Sequence, residues 1–388
     1  MHLSAALSVV TSLLAMAWGH ELTEHHKKHM ARARPFIEHC QSHFNEEAFK
    51  LKTAKRHLSN MNRARASQGF QDNSPNNPFD HHISVAQHSP LEILRTTHRL
   101  FKEWDGVTMV ETFGNAGVCS LTPETDIGPL YKGKQQIRSD LRDNQPGVPI
   151  HLEVQIVDMK TCLPVPNAYI DYWAANASGI YSAISGFVGN GNENDKTLTN
   201  KHFARGVQPT NAEGVAHFII NLPGHYVGRT THMHIGVHHD VEVLADGTIK
   251  GGHVSHIGQI YLDQSLLKLV ELTDPYNKNT MPWTMNVEDP HFLYAATGGD
   301  PVMRYSLLSD NVEQGMYGWI RFAVDINARR SMPGHPNKRF EQKLEATKRA
   351  KKTPSHLPLP LALPKMYFYG SEEVRQDSKV KGSAKEDS

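Results

Sequence analysis

The chain has 388 residues, of which 39% are hydrophobic and 21% charged, the balance of a globular protein rather than a disordered one. Its formal net charge of +1 offers no field to attract nucleic acid or an anionic membrane. Histidine is the outlier at 25 copies, which makes metal binding worth testing and also makes chance histidine pairs common.

Residues 1–19 read as a signal peptide. Met1-His2 precede an apolar run from Leu3 to Leu14, and Ala17-Trp18-Gly19 places small residues where a signal peptidase cuts. The run is far shorter than the ~20 apolar residues that span a bilayer, so the expectation is a secreted, extracellular protein. In an oxidising compartment the three cysteines, Cys40, Cys119 and Cys162, suit one disulfide and one thiol left over. Spacing does not fix the pairing; Cys119 with Cys162 is the expected pair, because both flank the start of the expected sheet.

Residues 20–116 are expected to form an N-terminal helical region and linker. Phe36, Ile37, Cys40, Phe44, Ala48 and Leu51 recur at near-helical spacing, predicting one or two amphipathic helices. Gln68 to Pro78 is loop material, and a second short helix is expected within Leu91 to Trp104. His25, His26, His29 and the His39-Cys40-x-x-His43 group lack a carboxylate or second cysteine at ligand spacing, so they read as solvated helix faces.

Near residue 117 the pattern changes. From 117 to 325 short alternating or β-branched runs are separated by Gly, Pro, Asn and Asp. Examples of expected strands are His151 to Asp158, Ala168 to Trp173, Val215 to Ile220, Thr231 to Val237 and Gly318 to Asp325. Such a series predicts an all-β sandwich or barrel. Residues 326–388 are basic and contain prolines, which predicts a solvated or wrapping C-terminal tail of irregular structure.

The chemistry concentrates in Pro223-Gly224-His225-Tyr226-Val227-Gly228-Arg229-Thr230-Thr231-His232-Met233-His234. On a strand, residues i and i+2 share a face, so His232 and His234 project together while Met233, Ile235 and Val237 take the apolar side. Two imidazoles on one face make half a metal site. Upstream, a strand ending near Trp173 runs into a small-residue loop that can aim Tyr181 inward. Tyrosinate is a hard anionic donor suited to iron(III), a hard acid that depresses a phenol's pKa on coordination. A zinc site would more often combine His with Cys or a carboxylate, and a ferrous oxygenase would use two His and one carboxylate.

From Cys119 to Asp263 the chain resembles the intradiol ring-cleavage dioxygenases, particularly their secreted fungal-type members. The resemblance rests on Leu121-Thr122-Pro123-Glu124 with Gly128-Pro129-Leu130-Tyr131, and on Trp173-Ala174-Ala175-Asn176-x-x-Gly179-x-Tyr181. It continues through Arg205-Gly206-x-Gln208-Pro209-Thr210, Pro223-Gly224-x-Tyr226-x-Gly228-Arg229-x-x-His232-x-His234 and Gly258-Gln259-Ile260-Tyr261. It implies a mainly β fold: a β-sandwich catalytic core with an N-terminal helical segment and an irregular C-terminal tail. It implies non-haem Fe(3+) held by Tyr181, Tyr226, His232 and His234, with Tyr226 and His234 axial and Tyr181 and His232 equatorial. Arg229 and Gln259 match residues that steady the bound substrate and the charge developing during oxygen attack. Tyr131 matches a position lining the aromatic pocket.

The activity so implied is oxidation of a catechol-type substrate by O2. Tyr226, displaced by substrate, accepts a substrate proton, and the ring opens between its two hydroxylated carbons to a muconate-type diacid. The partners are then a small aromatic diol and O2, with no nucleic acid and no membrane span. Two other readings remain open on the residues alone: a non-catalytic β-sandwich module binding aromatic or carbohydrate ligands, and a zinc or copper protein. Asn176-Ala177-Ser178 is a formal glycosylation sequon within the site loop and is expected to be unmodified.

Overall fold

The computed structural model describes residues 40, 43–44, 46–70, 90–95, 97–99, 127–185 and 195–332. The expected signal peptide, most of the expected C-terminal tail and Cys119 lie outside the described residues. Among the described residues there are ten strands: β1 (Pro149–Asp158), β2 (Tyr169–Trp173), β3 (Arg205–Pro209), β4 (Val215–Asn221), β5 (His232–His239), β6 (Glu242–Val243), β7 (Ile249–Lys250), β8 (His253–Tyr261), β9 (Arg304–Leu307) and β10 (Met316–Val324). They form two four-stranded sheets, β4-β1-β10-β9 and β3-β2-β5-β8, and a small β6-β7 hairpin.

Alternation along the strands builds the sandwich. The first sheet sends Ile150, Leu152, Val154, Phe218, Ile220, Ile320 and Phe322 into the core, and the second answers with Ile170, Tyr172, Met233, Ile235, Val237 and Ile260. The period-two reading of β5 therefore holds, with Met233, Ile235 and Val237 wholly buried. The expected β-sandwich is the observed fold. Five strands are not among the runs named from the sequence: β3, β6, β7, β8 and β9. Each is short or rich in Gly, His and Arg, and in β3, β8 and β9 most side chains are buried by other parts of the chain.

The expectation of an all-β core needs correction, because α3 (Gln264–Val270) and α4 (Pro290–Gly298) lie within it. The second carried a legible start: Asp289 caps it by accepting from the His291 N–H, and Pro290 occupies the first turn, where its missing N–H costs nothing.

Ahead of the sandwich run α1 (Glu47–Ser67) and the short α2 (Pro90–Arg95). The apolar stripe ending at Leu51 is not the docking face of α1, since Leu51 is 40% exposed. The helix instead buries Thr53, Ala54, His57, Met61, Ala64 and Arg65. The reason lies across the interface, where the outer face of the first sheet presents Glu153, Gln155, Tyr317 and Arg321. Arg56 Nε donates to Glu153 Oε1 at 2.9 Å and Asn60 Nδ2 to Glu153 Oε2 at 2.7 Å. Tyr317 Oη donates to Glu153 Oε2 at 2.7 Å, and Arg321 Nε to Gln155 Oε1 at 2.6 Å. A polar sheet face selects a polar helix face, because a buried polar group without a partner costs more than a paired one contributes.

The expected cysteine pairing is also corrected: Cys162 is bonded to Cys40, 122 residues away, with Cα atoms 5.2 Å apart. The bond ties the segment before α1 to the turn after β1, a proximity created by docking of the N-terminal region. It also removes the Cys40 thiolate as a metal ligand. His43 pairs with Glu46 at 3.4 Å, while Cys40 of the same group is wholly buried, so the expected solvated face is corrected there. Among the described residues no helix is long and apolar enough to cross a membrane.

Candidate metal centre

The outer face of the second sheet carries the site, and strand register assembles it. His234 pairs with Trp173 on β2 and with Gln259 on β8, while Trp173 pairs with Arg205 on β3. Arg205, Trp173, His234 and Gln259 thus form one row across four strands, and His232 pairs with Tyr261 two residues along. Every one of these positions is out of phase with the apolar residues of the core face, so sandwich packing and site assembly are two outcomes of a single register.

The histidines converge. His232 Nδ1 donates to the Thr230 carbonyl at 2.6 Å, leaving the Nε2 lone pair free to face inward. His234 Nε2 lies 3.0 Å from His232 Nε2, and the hydroxyl of Tyr226 is 3.3 Å from the same His232 nitrogen. Trp173 stacks flat on His234 at 4.8 Å and 8°, fixing the plane of that ring. Tyr181 completes the group, its ring edge-on to Tyr226 at 5.7 Å and to His234 at 6.3 Å. Tyr181, His232 and His234 are buried, whereas Tyr226 is half-buried.

Electrostatics sets the protonation states. Burial pushes His232 down to about 3, reinforced by Arg229, and holds His234 well below its ordinary value. Both imidazoles are therefore neutral, as metal ligands must be. Burial raises the hydroxyls of Tyr181 and Tyr226, so neither ionises readily without a nearby positive charge. Two neutral nitrogens aimed at one another across 3.0 Å, flanked by two phenols, form a donor set that a hard, multivalent cation would satisfy. Among the described residues no group of three or more His, Cys, Asp or Glu side chains could hold a metal ion. The donor set here depends on its tyrosines, and it fits ferric iron better than zinc.

Arg229 and Gln259 reach the same place. Arg229 Nη2 donates to Gln259 Oε1 at 2.6 Å, and its Nε donates to Asp289 Oδ2 at 2.9 Å. Burial works against the guanidinium charge, but Asp289 and the nearby tyrosines overcome it and hold its pKa above normal. Asp289 is itself held below the ordinary carboxylate range: burial opposes this, and Arg229 and His291 outweigh it. Tyr131 stands one step back. Its hydroxyl donates to Asp171 Oδ2 at 2.8 Å and its ring packs edge-on against Trp173 at 4.8 Å. It shares an apolar cluster with Tyr181, against which Tyr226 packs.

Sequence reasoning assigned no role to Trp173, Arg205, Tyr261 or Asp289. Trp173 was within reach, lying on the same strand phase as the site, but the others depend on register and on the segment that leads into α4. Arg205 is a buried guanidinium whose Nε and Nη2 donate to Ser182 and Leu130, and it lies 5.8 Å from the centre of the Tyr181 ring. It fastens the loop that carries Tyr181.

Fold and site together define a β-sandwich protein with a buried two-histidine, two-tyrosine donor set. A family model described as Dioxygenase matches residues 127–242, a span that holds all four donors. The intradiol ring-cleavage dioxygenase from Tetranychus urticae is 30% identical, the match covering 55% of this chain and 98% of that one with a TM-score of 0.46. The chain belongs to the intradiol ring-cleavage dioxygenase family. It is also similar to catechol 1,2-dioxygenase from Acinetobacter sp. ADP1, at 20% identity, 56% of this chain, 65% of that chain and a TM-score of 0.35. A third similar structure is the dioxygenase domain of a dioxygenase carbohydrate-binding protein fusion from Streptomyces sp. SirexAA-E. It is 22% identical over 53% of this chain and 99% of that one, with a TM-score of 0.33. No curated protein matches the chain.

Proposed function

We propose that the protein binds iron(III) through Tyr181, Tyr226, His232 and His234 and uses O2 to open a catechol-type ring between its two hydroxylated carbons, giving a muconate-type diacid. The observation that carries this reading is the convergence of two neutral imidazoles and two phenols on one buried point, with a guanidinium alongside. A bound ferric ion would supply the positive charge that turns both phenols into phenolates and draws the two oxygens of a diol to one place.

The chain's own residues then divide the work. Tyr226 is the more exposed of the two tyrosines, so it is the one placed to meet an incoming diol and, as a phenolate, would accept a substrate proton. Tyr181, wholly buried, stays in place. Arg229 holds fixed positive charge where negative charge builds on the ring, and Asp289 keeps it aimed so that no reorganisation is needed during reaction. Gln259 receives Arg229 and Tyr261 on its carbonyl oxygen, which orients its amide. Tyr131 and Trp173 form the apolar wall behind His234.

Secretion belongs to the same reading, and with it the secreted fungal-type branch that the motifs resemble. Its support is the apolar N-terminal run with small residues after it, together with a Cys40–Cys162 disulfide of a kind that persists in oxidising compartments.

The test is the visible spectrum of the purified protein, before and after adding catechol without oxygen. Charge transfer from tyrosinate to iron(III) should colour the protein reddish-brown, and bound catechol should move the band to longer wavelength. A protein that stays colourless after reconstitution with an iron(III) salt would end the dioxygenase reading and leave a non-catalytic binding module in first place.

A further inference from the structure

Tyr181 and Tyr226 sit on two different turns, 174–181 and 222–231, so the separation of their hydroxyls is set by how those turns meet. They meet through backbone. The Gly224 N–H donates to the Asn176 carbonyl at 2.9 Å. A Cβ on Gly224 would stand 2.0 Å from the Ala177 oxygen, and one on Gly179 would stand 2.0 Å from the His225 oxygen. Glycine is required on both sides of this contact, and at Gly179 a φ of +75° requires it again.

Asn176 holds the first turn in the shape that makes the contact possible. Its side-chain Oδ1 accepts the N–H groups of Ser178 and Ile180, each at 3.0 Å, and its own N–H donates to the Ile180 carbonyl at 2.8 Å. Its Nδ2 donates to Gln145 Oε1 at 3.0 Å, and the Gln145 carbonyl accepts from Asn221 Nδ2 at 2.6 Å. Asn221 ends β4 and begins the run into Gly224. Asn221, Gln145, Asn176 and Gly224 therefore close a ring of hydrogen bonds around the junction of the two tyrosine turns.

We infer that Asn176 is a positioning residue: its side chain sets the separation of Tyr181 and Tyr226, and so the fit of the tyrosine half of the donor set to its metal. This rests on the metal-binding reading of the four donors. It also gives the Asn176-Ala177-Ser178 sequon a meaning other than modification, because a glycan on Nδ2 would need the space that Gln145 fills.

The experiment compares full-length wild type with Asn176→Ala, Asn176→Asp and Gln145→Ala. Each is loaded with an iron(III) salt, and visible absorption, loss of iron to a chelator and amide hydrogen exchange are followed. Removing a partner that orients metal ligands costs on the order of 10- to 100-fold in affinity. Asn176→Ala should release iron faster by about that factor with an altered tyrosinate band, and should expose the amides of Ser178, Ile180 and Gly224 to exchange while β1 stays protected. Asn176→Asp keeps the acceptor for both N–H groups and should recover most of the wild-type behaviour. Gln145→Ala, which leaves the Asn176 turn intact, should give a smaller change of the same kind and serves if Asn176→Ala does not fold. Wild-type band and iron retention in Asn176→Ala would overturn the proposal, whatever its exchange pattern, as would a glycan at Asn176 in iron-holding protein. A wild-type chain that takes up no iron would sink the metalloenzyme reading, and unchanged exchange in Asn176→Ala would separately sink the positioning role.

Discussion

Arg229 and Asp289 show what a single pair contributes to this site. The Asp289 side chain is fully buried and Arg229 is its salt-bridge partner at 2.9 Å, with the Thr230 and His291 N–H groups adding to the same carboxylate. Breaking a buried pair from one side leaves an uncompensated charge, at about 3–5 kcal/mol. Arg229→Met should therefore lower the unfolding free energy measured by urea denaturation by an amount in that range, and Arg229→Met with Asp289→Asn should recover part of it. On the proposed function, the loss of fixed charge should also cut the turnover rate by roughly 10²- to 10³-fold. A singly substituted protein as stable as wild type would show that the charge on Asp289 finds another partner. At this scale the site was half legible. His232 and His234 follow from the two-residue period of a strand, and Arg229 from its place beside them. Asp289 could not be found, since nothing in its local sequence distinguishes a helix cap from a cap that also anchors an arginine.

At the level of elements, α1 and the first sheet are joined by buried charge beside an apolar cluster of Ala54, Met61 and Ala64 with Tyr317 and Trp319. Burial alone would raise the Glu153 carboxyl, but His57, Arg56 and their neighbours hold it at about 2 against an ordinary 4.5. Burial lowers His57 to about 3 against 6.5. Both groups bind fewer protons folded than unfolded between these values, so their stabilisation is fully present above about 6.5 and is lost as pH falls through 4.5 toward 2. Thermal unfolding should accordingly move to lower temperature over that acid range, with Glu153→Gln flattening the slope below 4.5. At neutral pH the same substitution should destabilise toward the lower end of about 3–5 kcal/mol, because Arg56 keeps Glu213 as a second partner at 3.0 Å. An unchanged acid slope in the variant would assign the acid sensitivity elsewhere. The helix itself was expected; its buried face was not, because hydrophobic periodicity finds continuous apolar stripes and this face mixes Ala and Met with Arg, Asn and His.

Across the whole molecule, Cys40–Cys162 closes a loop of 122 residues between the N-terminal region and the sandwich. Removing a native disulfide typically costs about 2–5 kcal/mol, so reductant, or Cys40→Ser with Cys162→Ser, should lower the unfolding temperature without altering the spacing of the four candidate donors, two on the other sheet and two on turns beside it. An unchanged unfolding temperature would mean that docking of α1 already supplies the constraint. The sequence alone determined the β-sandwich class and the core phase of β5, because these depend on local periodicity, while the four candidate donors were named in it by resemblance to a family. Only the tertiary structure decided the cysteine partner, the polar docking of α1, the row from Arg205 to Gln259 and the meeting of the two tyrosine turns. Those are contacts between segments far apart in the chain, and their geometry is set by strand register and by backbone packing that leaves no periodic trace in either segment.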